Sequence, residues 1–310
     1  MKEPNELDDF FSPSSNDKII QQAKRKSKRR IFLVSGATIV LATLLIGFTK
    51  MLITPYYLDK KAVEQQLYYE LVGADQRVGD WEMTNRLVGS SATAPIFKIV
   101  GDRHVYVGDA TLQNATENRH LQPLVGSDDN YNGSRVMHFY HPAFQYDTKA
   151  NAAKQLAQLQ NNEVAEMAIS FNEAYTLERL QQLLPSSITL EWNWVDTFTK
   201  AEAASNSKEA EEPMNEYEVV GFPMADNQGE AYSQPVTQFV ETLQRATEKS
   251  GPYKEQFKKV YEAIQGNEKR VTENDVKIVG AVVVGTKQQL TTLMNKTYIT
   301  ASEIGTVVQK

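Results

Sequence analysis

From Ile31 to Ile53 the chain is apolar almost without interruption (IFLVSGATIVLATLLIGFTKMLI), and no charge appears before Lys50. A helix rises ~1.5 Å per residue, so ~20 such residues cross the ~30 Å hydrocarbon layer of a membrane. Six cations in the seven positions before it, Lys24, Arg25, Lys26, Lys28, Arg29 and Arg30, form a basic collar. Pro55, Tyr56 and Tyr57 follow it, a helix stop with rings suited to the membrane–water boundary. A core helix would not need that collar. The run is too long for the apolar part of a cleaved signal, and no small-residue cleavage site follows. The pattern therefore predicts a retained single-pass transmembrane helix over 31–53. The basic side stays in the cytoplasm, which puts residues 1–30 inside and residues 54–310 outside.

The period changes beyond the span. Leu58, Val63, Leu67 and Leu71 lie among charges as in a helical stalk, which Gly73 ends. From Trp81 to Phe144 the pattern is that of strands. PIFKIV and RHVYVG, joined by Gly101-Asp102, read as a hairpin, and RVMHFYHP from Arg135 as a further strand. These residues make 54–150 a membrane-proximal, mainly β region. In 151–310 the pattern is mixed. A short helix over 151–159 precedes the strand Val164–Phe171. Thr176 then caps a helix carrying Leu177, Leu180, Leu183 and Leu184 on one face, Pro185 ends it, and a strand runs from Ile188 to Val195. On that strand simple alternation puts Ile188, Leu190, Trp192 and Trp194 on one side.

The end of the chain repeats this plan. A strand over 276–285 leads to a helix capped by Thr286 and a closing strand from Tyr298, and the two units superpose without gaps at an offset of 110. The expectation is a repeated β-α-β unit with helices on one sheet face. Between the units, residues 200–216 are acidic, rich in Ala and Ser, and read as a mobile loop. Two amphipathic helices follow, around Val236–Leu243 and Phe257–Ile264. The fold class is thus a single-pass transmembrane helix plus an α+β extracellular body.

Charge sharpens this division. Residues 1–30 hold eight Lys and Arg against five acids, a surplus of three positive charges, whereas the whole chain of 310 residues carries −6, leaving −9 for the rest. An acidic exterior argues against direct binding of nucleic acid there, and the basic run is better suited to topology and contact with the lipid bilayer. The absence of cysteine removes disulfides, thiolate nucleophiles and zinc–thiolate sites, and fits the outer face of a Gram-positive bacterium.

Little in the sequence points to catalysis. There is no nucleophile elbow, phosphate loop, dinucleotide fingerprint or zinc-protease helix. His138 and His141 are the one close histidine pair, but i and i+3 on a strand face opposite ways. Glu191 and Asp196 would serve as acids only in a cleft. No enzyme activity, cofactor or metal is expected. Trp192-Asn193-Trp194 reads first as core and second as a ring platform for a ligand. Inside the cell, Leu7, Phe10 and Phe11 form an acidic–aromatic cluster (LDDFF), and a helix capped by Ser15 or Asn16 carries Ile19 and Ile20 toward the span. These five apolar residues are the candidate partner-binding set.

Two blocks resemble the sigma factor regulator family, membrane-anchored anti-sigma factors of Gram-positive bacteria. One is DKIIQQAKRKSKRR leading into IFLVSG. The other is EVAEMAISFNEAYTLERLQQLLPSSITLEWNWVDTFTK with VVGFP and the block from Val279 to Val308. The resemblance implies that the inner segment sequesters an extracytoplasmic-function sigma factor while the outer body responds to envelope state. It brings no catalytic residues. The inner tail has no separate folded domain, so sigma binding would rest on LDDFF and the following helix, aided by a second membrane protein. The rival reading is an envelope-binding or sensor module whose inner tail is inert.

Overall fold

The computed structural model describes residues 13–85, 90–113, 117–119, 135–206, 211–266 and 268–310. Its chain divides into two units, Met1–Tyr57 and Leu58–Lys310.

The first unit is occupied by helix α1 (Pro13–Leu71), whose residues from Leu58 onward belong to the second. The helix is long and apolar enough to cross a membrane, and none of its most apolar window is buried by protein. The hydroxyls of Thr38, Thr43 and Thr49 donate to the carbonyls of Val34, Ile39 and Leu45 at 2.8–2.9 Å, so these polar groups are satisfied within the helix itself. Two expectations are corrected here. The helix begins at Pro13, ahead of Ser15 and Asn16, because proline suits the first helical turn. Pro55 lies inside the helix instead of ending it. It removes one ladder bond, and beyond it Leu58, Ala62, Leu67 and Leu71 are buried, which holds the following turns in helical form.

In the second unit, β1 (Arg77–Val78), β2 (Glu82–Asn85), β3 (Ser90–Val100), β4 (Arg103–Gln113) and β5 (Glu117–Arg119) form one antiparallel sheet. The expected hairpin is present, with Val100 opposite Arg103 across Gly101, whose φ of 66° meets the turn's need for left-handed backbone. Ala92, Ala94 and Ile96 alternate onto the buried face of β3, and Ala92 packs with Leu58 and Ala62 of α1. The strand expected from Arg135 shrinks to β6 (His138–Phe139).

The second sheet comprises β7 (Glu163–Tyr175), β8 (Thr189–Val195), β10 (Gly221–Pro223), β11 (Ile278–Thr286) and β12 (Ile299–Gln309), while β9 (Met214–Asn215) pairs with β6. Its order is β10-β8-β11-β7-β12, and every neighbouring pair is antiparallel. Strand β7 reaches β8 through α3 (Leu177–Leu183), and β11 reaches β12 through α7 (Lys287–Thr291). Each crossover skips one strand and that strand belongs to the other crossover, as in a split β-α-β arrangement. Thr176 and Thr286 cap the two helices, accepting from the backbone N–H of Arg179 and Gln289. The helices α2 (Ala153–Gln158), α3, α5 (Pro235–Glu248), α6 (Lys254–Gln265) and α7 contribute Leu156, Leu180, Phe239, Leu243, Phe257 and Leu290 to the core over one sheet face. The region expected to be a mobile loop instead contains α4 (Lys200–Asn206). Thr199 and Glu202 cap it reciprocally, the Thr199 N–H donating to the Glu202 carboxylate at 2.8 Å and the Glu202 N–H to the Thr199 hydroxyl at 3.2 Å.

The opposite sheet face is buried as well, against Ala74, Met137, Phe139 and Val219. Residues Ala165 to Phe171 are therefore inaccessible on both sides of β7. The alternation expected along β8 fails for a local reason. Val282 pairs with Trp192 but Val283 pairs with Leu190, so Glu191 is an extra, bulged residue. Leu190 and Ile188 consequently join the helix-side core, whereas Trp192 and Trp194 join the opposite one.

Gly221 of β10 has no room for a side chain, since a Cβ there would strike the Asn193 carbonyl and the Trp192 ring. Gly221→Ala is expected to lower unfolding stability by about 2–3 kcal/mol, measured by urea titration followed through tryptophan fluorescence.

Candidate functional site

The residues proposed to bind a partner fall in two groups. Ile19 and Ile20 sit on α1 with about half their surface open to solvent, 59% and 50%. Leu7, Phe10 and Phe11 lie outside the described residues. The collar cations Lys24, Arg25, Lys26, Lys28, Arg29 and Arg30 are all exposed on the same helix. Both isoleucines thus offer apolar surface that the described residues leave uncovered.

The densest chemistry lies between the two sheets of the second unit. Lys98 points from β3 into the space beneath β7 and is fully buried. Its ammonium donates to Glu166 Oε1 at 2.8 Å and to Glu216 Oε2 at 2.9 Å. Glu166 Oε1 also accepts the Thr306 N–H at 2.8 Å, and Glu216 Oε1 accepts from the Gln76 amide at 3.1 Å. Burial alone would drive Lys98 toward neutrality, but the two carboxylates outweigh it and raise its pKa. Two contacts at such distances contribute on the order of 5 kcal/mol each at an effective dielectric of about 20. That is comparable to the several kcal/mol needed to desolvate each ion.

A second cluster begins where α1 ends. Gly73, Ala74 and Asp75 are successive residues with positive φ, 111°, 43° and 73°, and the turn they make carries Asp75 inward. Its Oδ1 accepts from Arg77 Nη2 at 3.0 Å and Nε at 3.3 Å. Arg77 Nη1 donates to the carbonyls of Ala225, at 2.9 Å, and Asp226, and its Nη2 lies 3.9 Å from Glu191. Burial, opposed by Arg77, pushes Asp75 up to about 6. Burial together with the nearby charge of Asp75 pushes Glu191 up to about 7. Burial likewise raises Glu216 despite Lys98 beside it. Asp75 Oδ2 and Glu166 Oε2 are buried and have no hydrogen-bond partner.

The other candidates are dispersed. His138 faces Glu303, with Nδ1 3.0 Å from its carboxylate, and His141 is buried 3.2 Å from Asp196 among the rings of Phe144, Trp194 and Phe198. His104 lies near the Asn227 carbonyl at 3.3 Å, and His120 is outside the described residues. Among the described residues no three His, Asp or Glu side chains are disposed to hold a metal ion. Trp192 and Trp194 fill the core beneath the second sheet, and Glu191 is engaged by Arg77.

Residues 156–306 match the family model described as sigma factor regulator C-terminal. This region is similar to the C-terminal part of the sigma factor regulator family. No curated protein and no solved structure matches the chain. The family is regulatory, and the likeness suggests an anti-sigma role with a sigma factor as partner. The sigma factor regulator region begins just before β7 and supplies Glu166, Glu191 and Glu216 to the charge clusters. Asp75, Arg77 and Lys98 come from the segment that precedes it. Sequence reasoning did not single out Lys98. The one signal available was a lysine in the otherwise apolar run PIFKIV, whose alternation assigns it to a side of its own strand without showing what covers that side.

Two outcomes follow. Lys98→Met leaves two carboxylates buried without their cation and is expected to destabilise the second unit by about 3–5 kcal/mol, measured by chemical denaturation. The pH effect has a defined sign. Asp75 and Glu191 have folded pKa values above their ordinary 3.8 and 4.5, so their stabilising contribution is full below pH ~4 and is lost as pH rises through about 6 and 7. The melting temperature read from tryptophan fluorescence should fall between pH 5 and pH 8, and Glu191→Gln should flatten part of that slope.

Proposed function

We propose that the protein is a membrane-anchored anti-sigma factor. Residues 1–30 are cytoplasmic and hold an extracytoplasmic-function sigma factor away from RNA polymerase. Residues 31–53 span the bilayer, and the outer body comprises a membrane-proximal region, 54–150, and the sigma factor regulator region, 151–310. A change in envelope state acts on that body. The observation that carries this reading is the family match over residues 156–306 on a chain whose N-terminal helix is long and apolar enough to span a membrane.

Physical arguments support the details. The basic collar favours a cytoplasmic N-terminus. Covering an exposed isoleucine is worth about 1.5–3 kcal/mol, so a partner that buries Ile19, Ile20 and the aromatic pair gains enough for specific binding without a folded inhibitory domain. A second membrane protein could supply the remaining surface. The groove described below favours a second reading, in which the outer body holds an envelope component and the tail is inert.

The two readings separate in one experiment. The full-length protein is expected to co-purify with a sigma factor from detergent extracts, and Phe10→Ala/Phe11→Ala should weaken that capture by about a hundred-fold. Failure to capture any sigma factor, with no transcriptional change on deleting residues 2–16, would favour the envelope-binding module.

A further inference from the structure

A groove of about 430 Å³ runs along the outer body between the last turns of α1 and α5. Glu70, Asp226, Tyr232, Phe222, Phe239 and Arg245 are among its walls. A recess of about 40 Å³ adjoins it, sharing Gln66, Glu70, Pro223, Asn227 and Tyr232 with the groove and reaching Asp75, Arg77 and Trp192. The Asp75 side chain is wholly buried there, and its Oδ2 is without a hydrogen-bond partner.

We propose that this groove binds a primary alkylammonium ligand, whose charged head enters the recess and donates to Asp75 Oδ2.

Charge, size and chemistry all point the same way. Three carboxylates, Asp75, Glu70 and Asp226, line the groove and recess against two guanidiniums. The buried guanidinium is not available for an anion. Arg77 is committed to Asp75, to two carbonyls and to the vicinity of Glu191. Arg245 donates to Thr242 at 2.8 Å and lies 3.9 Å from Glu70. An unmatched buried acceptor beside surplus negative charge calls for a cation. A metal ion is disfavoured because the described acids do not converge on one point. The recess has room for one water-sized group, which an ammonium head is and a planar guanidinium is not. Half-buried Tyr232 and Pro223 offer apolar surface to an alkyl stem, and the Tyr232 ring a π face to its charge. The groove volume lies in the range of sites for small organic ligands.

The inference goes beyond the anti-sigma reading, and its test needs no sigma factor. The full chain in detergent micelles is titrated calorimetrically with cadaverine and with Nα-acetyl-lysine amide, which represent a free amine and a lysine side chain in a peptide. Nα,Nε-diacetyl-lysine amide is the uncharged control. At least one amine should bind with submillimolar affinity, and the control should not. Binding by cadaverine alone would identify a free amine as the source, and binding by the blocked lysine alone a peptide. Asp75→Asn should weaken binding by about ten- to a hundred-fold. Asn tolerates the left-handed backbone and retains an oxygen for Arg77. Melting curves establish that this variant is folded. If it is not, Glu70→Gln at the groove rim is expected to weaken binding by about three-fold with the melting temperature unchanged. No saturable heat from either amine would overturn the proposal, because the recess would then hold only water. Equal binding of the acetylated control, or full affinity in the folded variants, would also overturn it.

Discussion

Lys98 is a fully buried ammonium held between two buried carboxylates, one on β7 and one in the segment after β9. Such an arrangement tolerates no partial version, because removing any member leaves charge stranded where water cannot reach it. Its members come from positions 98, 166 and 216, and the neighbouring cluster from 75, 77 and 191. The residues preceding the family region and those within it are therefore constrained by the same electrostatics. The second sheet is buried on both faces, by helices on one side and by the first sheet's surroundings on the other, and the charge clusters lie on the second of these faces.

Local irregularities position these groups. The bulge at Glu191 sends Leu190 and Trp192 to opposite cores. A side chain at Gly305 would strike the Glu166 carboxylate and Met137, so β12 can lie over the buried pair only with glycine at that position. The strained run Gly73-Ala74-Asp75 turns the chain from helix to sheet and aims Asp75 inward. Non-glycine residues in left-handed backbone cost on the order of 1 kcal/mol each. A turn that holds two of them in succession marks a place where the fold accepts a cost to fix one side chain.

Much of this fold could be read from periodicity. The β3–β4 hairpin, the threonine-capped helices and the apolar strands β7, β8 and β11 all follow from local patterns. The misreadings share one cause, a tertiary constraint overriding a local rule. Pro55 does not end its helix because the turns beyond it are buried. Residues 200–206 form a helix because Thr199 and Glu202 cap it. Trp192 leaves the side that alternation assigns to Ile188 and Leu190 because of a bulge that only strand pairing reveals. The charge clusters were illegible for the same reason. Their members are far apart in sequence, and no single segment shows that Lys98 meets Glu166. The proposed sigma-binding residues were suggested by composition alone, and of these Ile19 and Ile20 are exposed on α1 while Leu7, Phe10 and Phe11 lie outside the described residues.

The regulatory reading treats a folded, internally charged outer body and a short inner segment as two ends of one membrane-anchored device. The most direct test is a transcriptome comparison between a strain lacking this protein and its parent. The account predicts that a small set of genes sharing one promoter class rises, and that the rise is suppressed by the intact protein but not by one lacking residues 2–16. No coordinated rise, or full suppression by the truncated protein, would contradict it.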